Sequence, residues 1–420
     1  MKSNNLKKNF IWNVVGTTIN AFNSLFFMII VTRIDGINQA GIFTFAFSTA
    51  TLLNVIGVYS GRVYQVTDSS EISDKEYIIN KVITCSIMIF VTLLFLILNR
   101  YNLFKSAVIL VLCLLKCLEA FCEVIYAIFQ KRELLYKVGI SLTMKSLIGL
   151  LIFMIINLLT KNVLFASIGI LISFIIMIIA YDYYNLKKIN IITKVDIKNV
   201  KKTLAVGIFP FLVTFLCLFI INAAKYSIDI NLSNKDQTIY GILIMPATII
   251  LLFGQFIIHP FLVKITHCIN INDYKQLSKI VIKFIFWILI FGILASICVY
   301  LLGIPVLQII YGVSLGKYKI ALLLIIIGAS FYGIVSILSN ILIAMRHYII
   351  QTIILFMISV FTFLLSFYLT KVQGIYGAVL SYFFTMILLC IIYIIIMIFY
   401  LNKMKGSEFN EKNNNVSSNT

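Results

Sequence analysis

The chain has 420 residues, 61% of them hydrophobic and 12% charged, whereas soluble domains sit at about 45–50% apolar and about 25% charged. About twelve membrane spans of roughly 20 residues would use on the order of 250 residues, so a folded ectodomain, a secreted enzyme and a disulfide-stapled module are excluded. The 34 Lys and Arg against 15 Asp and Glu give a net charge of +19; in a membrane protein the informative question is which loops hold those cations, and nucleic acid is not implied.

Taken in chain order, apolar runs predict an all-α polytopic protein with helices over residues 10–32, 41–60, 80–98, 104–129, 138–159 and 163–183. A second set follows over 204–224, 239–263, 281–302, 320–343, 350–370 and 374–400. The first run follows Lys7 and Lys8 but is too long for a signal-peptide core and ends at Thr32-Arg33 without a small-residue cleavage site, so it is read as a helix. Seven cysteines fall inside apolar runs, where a thiol acts as a small hydrophobe, and Cys268 is assigned to a loop. No Cys-x-x-Cys occurs and His259, His267 and His347 are scattered, so neither a metal site nor a cofactor is expected.

Alternate loops divide the basic residues 23 to 9, with two more, Lys116 and Lys145, inside helices. Positive-inside then places both termini in the cytoplasm. The expected organisation is an N-terminal six-helix lobe over 1–186, a basic cytoplasmic linker over 187–203, a C-terminal six-helix lobe over 204–402 and a disordered cytoplasmic tail over 403–420. Short echoes support a parallel repeat: Ala40-Gly41-Ile42 opens helix two and Tyr240-Gly241-Ile242 helix eight, while Leu159-Thr160-Lys161 and Leu369-Thr370-Lys371 close helices five and eleven.

Enzyme equipment is missing from the motifs. Gly312-Val313-Ser314-Leu315-Gly316-Lys317-Tyr318 is one residue short of a Walker loop and lacks its Ser/Thr, so it reads as a turn. No external loop gathers paired carboxylates for acid–base work, and no catalytic residue is assigned. The ionisable groups at membrane depth are the functional candidates instead. Lys116, Glu119 and Glu123 share one face of helix four, and an antiparallel turn near Glu133 sets Lys145 level with Glu123. Two readings stay open. In one, Lys145 neutralises Glu123 and Lys116 neutralises Glu119 as a structural lock; in the other, the cluster lines a wet cavity, with the lysines meeting an anionic head group and a glutamate carrying a coupling proton.

Arg33 and Lys225 end helices one and seven, and Arg62 ends helix two opposite His259-Pro260 of helix eight. Snorkelling to lipid phosphates explains each singly; together they form a basic track suited to a diphosphate. Asp229 is either the partner of Lys225 or a cation ligand. Pro246 is a candidate bending point, and Gly374-Ile375-Tyr376-Gly377 fits a close helix contact.

Asn13-Val14-Val15-Gly16, Val31-Thr32-Arg33 and Ala40-Gly41-Ile42-Phe43 resemble the opening of bacterial polysaccharide-unit flippases, the Wzx-type branch of the multidrug/oligosaccharidyl-lipid/polysaccharide (MOP) exporter superfamily. His259-Pro260-Phe261-Leu262 with Tyr274-Lys275-Gln276-Leu277, the segment Ile304-Pro305 to Tyr311-Gly312, and Gly374-Ile375-Tyr376-Gly377-Ala378-Val379 agree with it. The resemblance spans nearly the full chain. It implies two six-helix lobes around a central cavity in the bacterial cell membrane, carrying undecaprenyl-diphosphate-linked oligosaccharide between leaflets by alternating access. On that reading Arg33, Arg62, Lys116, Lys145 and Lys225 are candidate diphosphate ligands, and Glu119, Glu123 and Asp229 candidate ion-coupling groups. The implied partners are the lipid-linked oligosaccharide, H+ or Na+, membrane lipids, and a polysaccharide polymerase with glycosyltransferases. Twelve helices disfavour the fourteen-helix lipid II flippases. The absence of Asp and Glu from 1–33 and 41–62 disfavours a cation-coupled drug antiporter, which stands as the alternative beside a non-transporting scaffold of a polysaccharide assembly complex.

Overall fold

The computed structural model describes residues 2–417 except residues 60, 68–71, 192–194, 259–260, 272 and 346. His259-Pro260, expected at the mouth of helix eight, therefore lies outside the described residues. The first half of the chain forms α1 (Lys2–Ile34), α2 (Ile37–Val58), α3 (Gly61–Thr67), α4 (Asp74–Asn99), α5 (Leu103–Lys131), α6 (Leu135–Thr160), α7 (Val163–Met177) and α8 (Tyr184–Lys187). The second forms α9 (Ile197–Asn231), α10 (Asn234–Ile258), α11 (Leu262–Asn270), α12 (Tyr274–Cys298), α13 (Ile304–Tyr311), α14 (Lys319–Ala344), α15 (Tyr348–Gln373) and α16 (Ile375–Ser417). Ten helical stretches among the described residues are long and apolar enough to cross a membrane. The remaining two expected spans, helices four and eight, are the 29-residue α5 and the 25-residue α10.

Several boundaries move outward from their expected places. Helix three begins at Asp74 rather than residue 80 because Ser73 and Glu76 form a reciprocal capping box: Ser73 Oγ accepts from Glu76 N at 3.2 Å and Glu76 Oε2 accepts from Ser73 N at 2.6 Å. Polar residues that read as a break are thus the first turn of the helix. The segment from residue 403, expected as disordered tail, continues α16 to Ser417, and no proline interrupts it. Cys268, assigned to a loop, is buried in α11, where its thiol donates to Gln276 Oε1 at 3.1 Å. The Gly312–Tyr318 segment is a turn as read, with Gly312 at φ 71° closing α13 and a 3-10 turn over Gly316–Tyr318.

Two π-helical turns interrupt the long helices, Ile178–Tyr183 between α7 and α8 and Val299–Gly303 between α12 and α13. The second precedes Pro305, which has no N–H to give to the α-helical ladder, so the preceding turn widens.

The chain divides into two compact units: Met1–Phe219 with Asn234–Thr238, and Ile220–Ser233 with Ile239–Thr420. Within the first, the third long helix packs on the fourth (α4 on α5), the fourth on the sixth (α5 on α7) and the fifth on the sixth (α6 on α7). The second repeats that order with α12 on α14, α14 on α16 and α15 on α16. Repeated neighbours, not only repeated sequence, thus support the internal duplication.

Small residues set the tightest crossings, as expected where apolar association cannot distinguish helix from lipid. A Cβ at Gly16 of α1 would overlap the backbone of Gly139 in α6, and one at Gly139 would overlap Trp12 O. Gly377 faces Leu369 O of α15 in the same way, which is the close contact expected of Gly374-Ile375-Tyr376-Gly377. Aromatic side chains fill the space beside these contacts: Phe153 of α6 lies 4.8 Å from Phe27 and 5.7 Å from Phe43, ring centre to ring centre.

Candidate functional site

The first unit holds a row of charges on α5. Residues three and four apart share a helix face, so Lys116, Glu119 and Glu123 point the same way. Lys116 Nζ donates to Glu119 Oε2 at 2.6 Å and sits 5.0 Å from the Phe47 ring centre. Arg62 comes to the other end of the row because α2 stops at Val58: Tyr59 at φ 50° and Gly61 at φ 70° turn the chain sharply into α3. Its Nε lies 3.6 Å from Glu123 Oε2, while Nη1 is buried without a hydrogen-bond partner among the described residues. These four side chains are 16–29% exposed, so the row is partly open.

The broken end of α2 is held from two sides. Lys81 Nζ donates to Gly57 O at 3.1 Å and Val58 O at 2.7 Å, a cation on the negative end of the helix dipole. Tyr59 donates to Leu204 O at 2.7 Å and stacks on Phe211 at 5.3 Å. Beside Lys81 a polar cavity of about 20 Å³ is lined by Gln65, Asn80 and Thr203 among others. Both amide atoms of Asn80 and Nε2 of Gln65 lack partners there among the described residues, and the space suits one water.

Lys145 does not meet Glu123. Its Nζ donates to Asp182 Oδ2, to Tyr126 Oη at 3.0 Å and to Cys122 Sγ at 3.1 Å. Tyr126 in turn bonds Ser141 at 2.9 Å. The pair is sealed, with side chains 1% and 0% exposed, so Lys145 offers nothing to a substrate in this conformation. Equal depth was the right premise for α5 and α6, but depth does not set direction: Lys145 turns toward the π-helical turn after α7, which carries Asp182. Asp182 was missed by sequence reasoning, although an acid inside the sixth apolar run was itself the signal.

The other candidates are not part of this row. Arg33 lies exposed in the last turn of α1. Lys225 and Asp229 lie one turn apart in the second unit, inside α9 rather than at its end, since that helix continues to Asn231. Sequence reasoning also passed over Asp35, in the turn between α1 and α2. Both its carboxylate oxygens are buried without a hydrogen-bond partner among the described residues, and burial pushes its carboxyl up to about 7.

No protein-family profile matches the sequence. The chain is 26% identical over 370 residues to the capsular polysaccharide biosynthesis protein CapF of Staphylococcus aureus, covering 85% of this chain and 91% of that protein. Among solved structures it resembles an inward-facing multidrug resistance MATE family transporter of the MOP superfamily, with a TM-score of 0.67 at 14% identity over 94% of this chain and 99% of that one. It also resembles the MATE transporter VcmN of Vibrio cholerae in its bent form, with a TM-score of 0.61 at 14% identity over 96% and 98%. An outward-facing MATE transporter gives a TM-score of 0.59 at 13% identity over 96% of each chain. At these identities the structural likeness carries the fold, and the sequence likeness to CapF stands beside it.

Proposed function

We propose that this multi-pass membrane protein, which has the fold of the MOP superfamily transporters, is a flippase that carries an undecaprenyl-diphosphate-linked oligosaccharide repeat unit from the inner to the outer leaflet of the cell membrane. The observation that carries this reading is the likeness to a capsular polysaccharide biosynthesis protein along 85% of the chain. The chemistry on α5 supports it. Arg62 and Lys116 are partly exposed cations, the second of them inside a long apolar helix, and the Arg62 guanidinium has a donor with no partner among the described residues. A diphosphate supplies acceptors for such donors.

Arg62 and Lys116 are therefore the leading head-group ligands, with Arg33 and Lys225 as further candidates along the substrate's path. Lys145 leaves this set, because its ammonium is enclosed and its donors are engaged. Glu119 and Glu123 each face a cation that an arriving diphosphate would compete for, and they remain the candidate ion-coupling groups of this row. Asp229 and Asp35 are the coupling candidates away from it. Alternating access by the two units moves the head group while the prenyl chain stays in lipid.

The test is translocation of a lipid-linked oligosaccharide by purified protein in liposomes, with and without an imposed proton gradient. Arg62→Ala and Lys116→Ala are expected to slow it by about 10- to 100-fold each, the worth of one charge-assisted hydrogen bond. Unchanged rates in both variants would remove α5 from the site. Failure to move oligosaccharide, together with loss of drug resistance and a normal polysaccharide coat on gene deletion, would establish the antiporter alternative. Absence of any transport would leave the scaffold alternative.

A further inference from the structure

A second feature lies outside the α5 row, on α12 in the second unit. Lys275, Lys279 and Lys283 recur at every fourth residue, and the same row continues into Trp287 and Phe291. Residues four apart are neighbours on a helix, and at 1.5 Å per residue this ridge runs about 24 Å. All three lysines are exposed. Lys283 then enters an apolar trough of about 510 Å³, where among the described residues it is the one charged lining residue beside Phe284, Trp287, Phe291 and Leu294. Phe284 forms the buried floor and meets Phe261 edge-on at 5.1 Å.

A lone lysine at a helix end is explained by snorkelling. Three stacked at about 6 Å are not, because like charges at this spacing repel and each turn inward from the interface raises the cost of the cation. Among the described residues no carboxylate pairs with any of them. An anion bridging adjacent lysines would reverse that repulsion. The required occupant carries more than one negative charge at its head and an apolar chain directly behind it. A monoanionic phospholipid matches only one rung of the ladder, whereas a lipid diphosphate matches the ladder and the trough together.

We propose that the Lys275–Lys279–Lys283 ladder and the trough beyond it form a docking site for a polyprenyl diphosphate. The head would lie on the lysines and the first isoprene units along Phe284, Trp287 and Phe291. The choice of a polyprenyl chain rests on the flippase reading. The lysine end of α12 is the end that the charge distribution assigns to the cytoplasm, so the site receives substrate in the leaflet from which it is carried.

Trp12 and Trp287 are the two tryptophans of the chain, so Trp12→Phe leaves a single reporter inside the trough. In that variant, reconstituted in phosphatidylcholine vesicles, undecaprenyl diphosphate is expected to change Trp287 fluorescence saturably. Replacing all three lysines by Gln is expected to weaken binding on the order of a hundredfold, and Lys283→Gln alone about fivefold. Undecaprenol and phosphatidylglycerol at the same mole fraction are expected not to reproduce the curve. The proposal is overturned if phosphatidylglycerol saturates equally, or if the triple variant binds within about threefold of its parent. Should the triple variant not fold, Lys283→Gln is judged alone, and an unchanged affinity overturns the proposal. Ladder-dependent binding in a chain that moves no oligosaccharide would keep this site and remove the flippase reading. Translocation without ladder-dependent binding would do the reverse.

Discussion

Two kinds of intramembrane charge distinguish themselves by exposure. Lys116 with Glu119 was legible from the sequence, because a separation of three residues puts both on one helix face whatever surrounds them. Lys145 with Asp182 was not, since 37 residues and a π-helical turn separate the partners. The buried pair behaves as a lock within the first unit. Lys145→Met would strand a carboxylate in a sealed site and is expected to cost about 3–5 kcal/mol, whereas Lys145→Met with Asp182→Leu together recovers most of it. Melting temperatures of the purified variants measure both effects. A double variant that melts like its parent and still transports confirms a structural lock; one that melts normally and is inactive makes the pair part of the mechanism.

The elements owe their contacts to residues that composition hides. The α1–α6 crossing depends on the absence of two side chains, since a Cβ at Gly139 would strike backbone that has no rotamer to yield. Gly149, ten residues further along α6, meets only Ile170 Cγ2 at an ordinary 3.7 Å. Gly139→Ala is therefore expected to destabilise by about 1–3 kcal/mol. Gly149→Ala is expected to be neutral or to gain up to about 1 kcal/mol from helix propensity. Thermal unfolding of the two variants side by side checks the sign of each. Equal melting temperatures would mean that α1 and α6 do not approach as described. The same sequence that announced twelve apolar runs misjudged where α4 begins, because a capping box looks polar from outside and helical only once its two hydrogen bonds are drawn.

For the whole molecule, the net charge of +19 is chiefly a statement about orientation. The asymmetry of 23 against 9 basic residues between alternate loops predicts that a fluorescent protein fused after Thr420 lights up in the cytoplasm. Alkaline phosphatase fused in the Gly312–Tyr318 turn should be active on the opposite side; the reverse pattern would invert every assignment of leaflet made above. Composition and spacing along the chain establish the number of long helices, the six-plus-six duplication and the charged row on α5. Each follows from composition and spacing along one chain, because a bilayer leaves a helix little alternative. Which charges are partners, which are sealed and which lie open is settled by packing in three dimensions. Pairing depends on the rotation of each helix about its axis, and that rotation is set by close packing at Gly16, Gly139 and Gly377 and by breaks such as the π turn at Asp182, whose consequences reach residues far away in sequence.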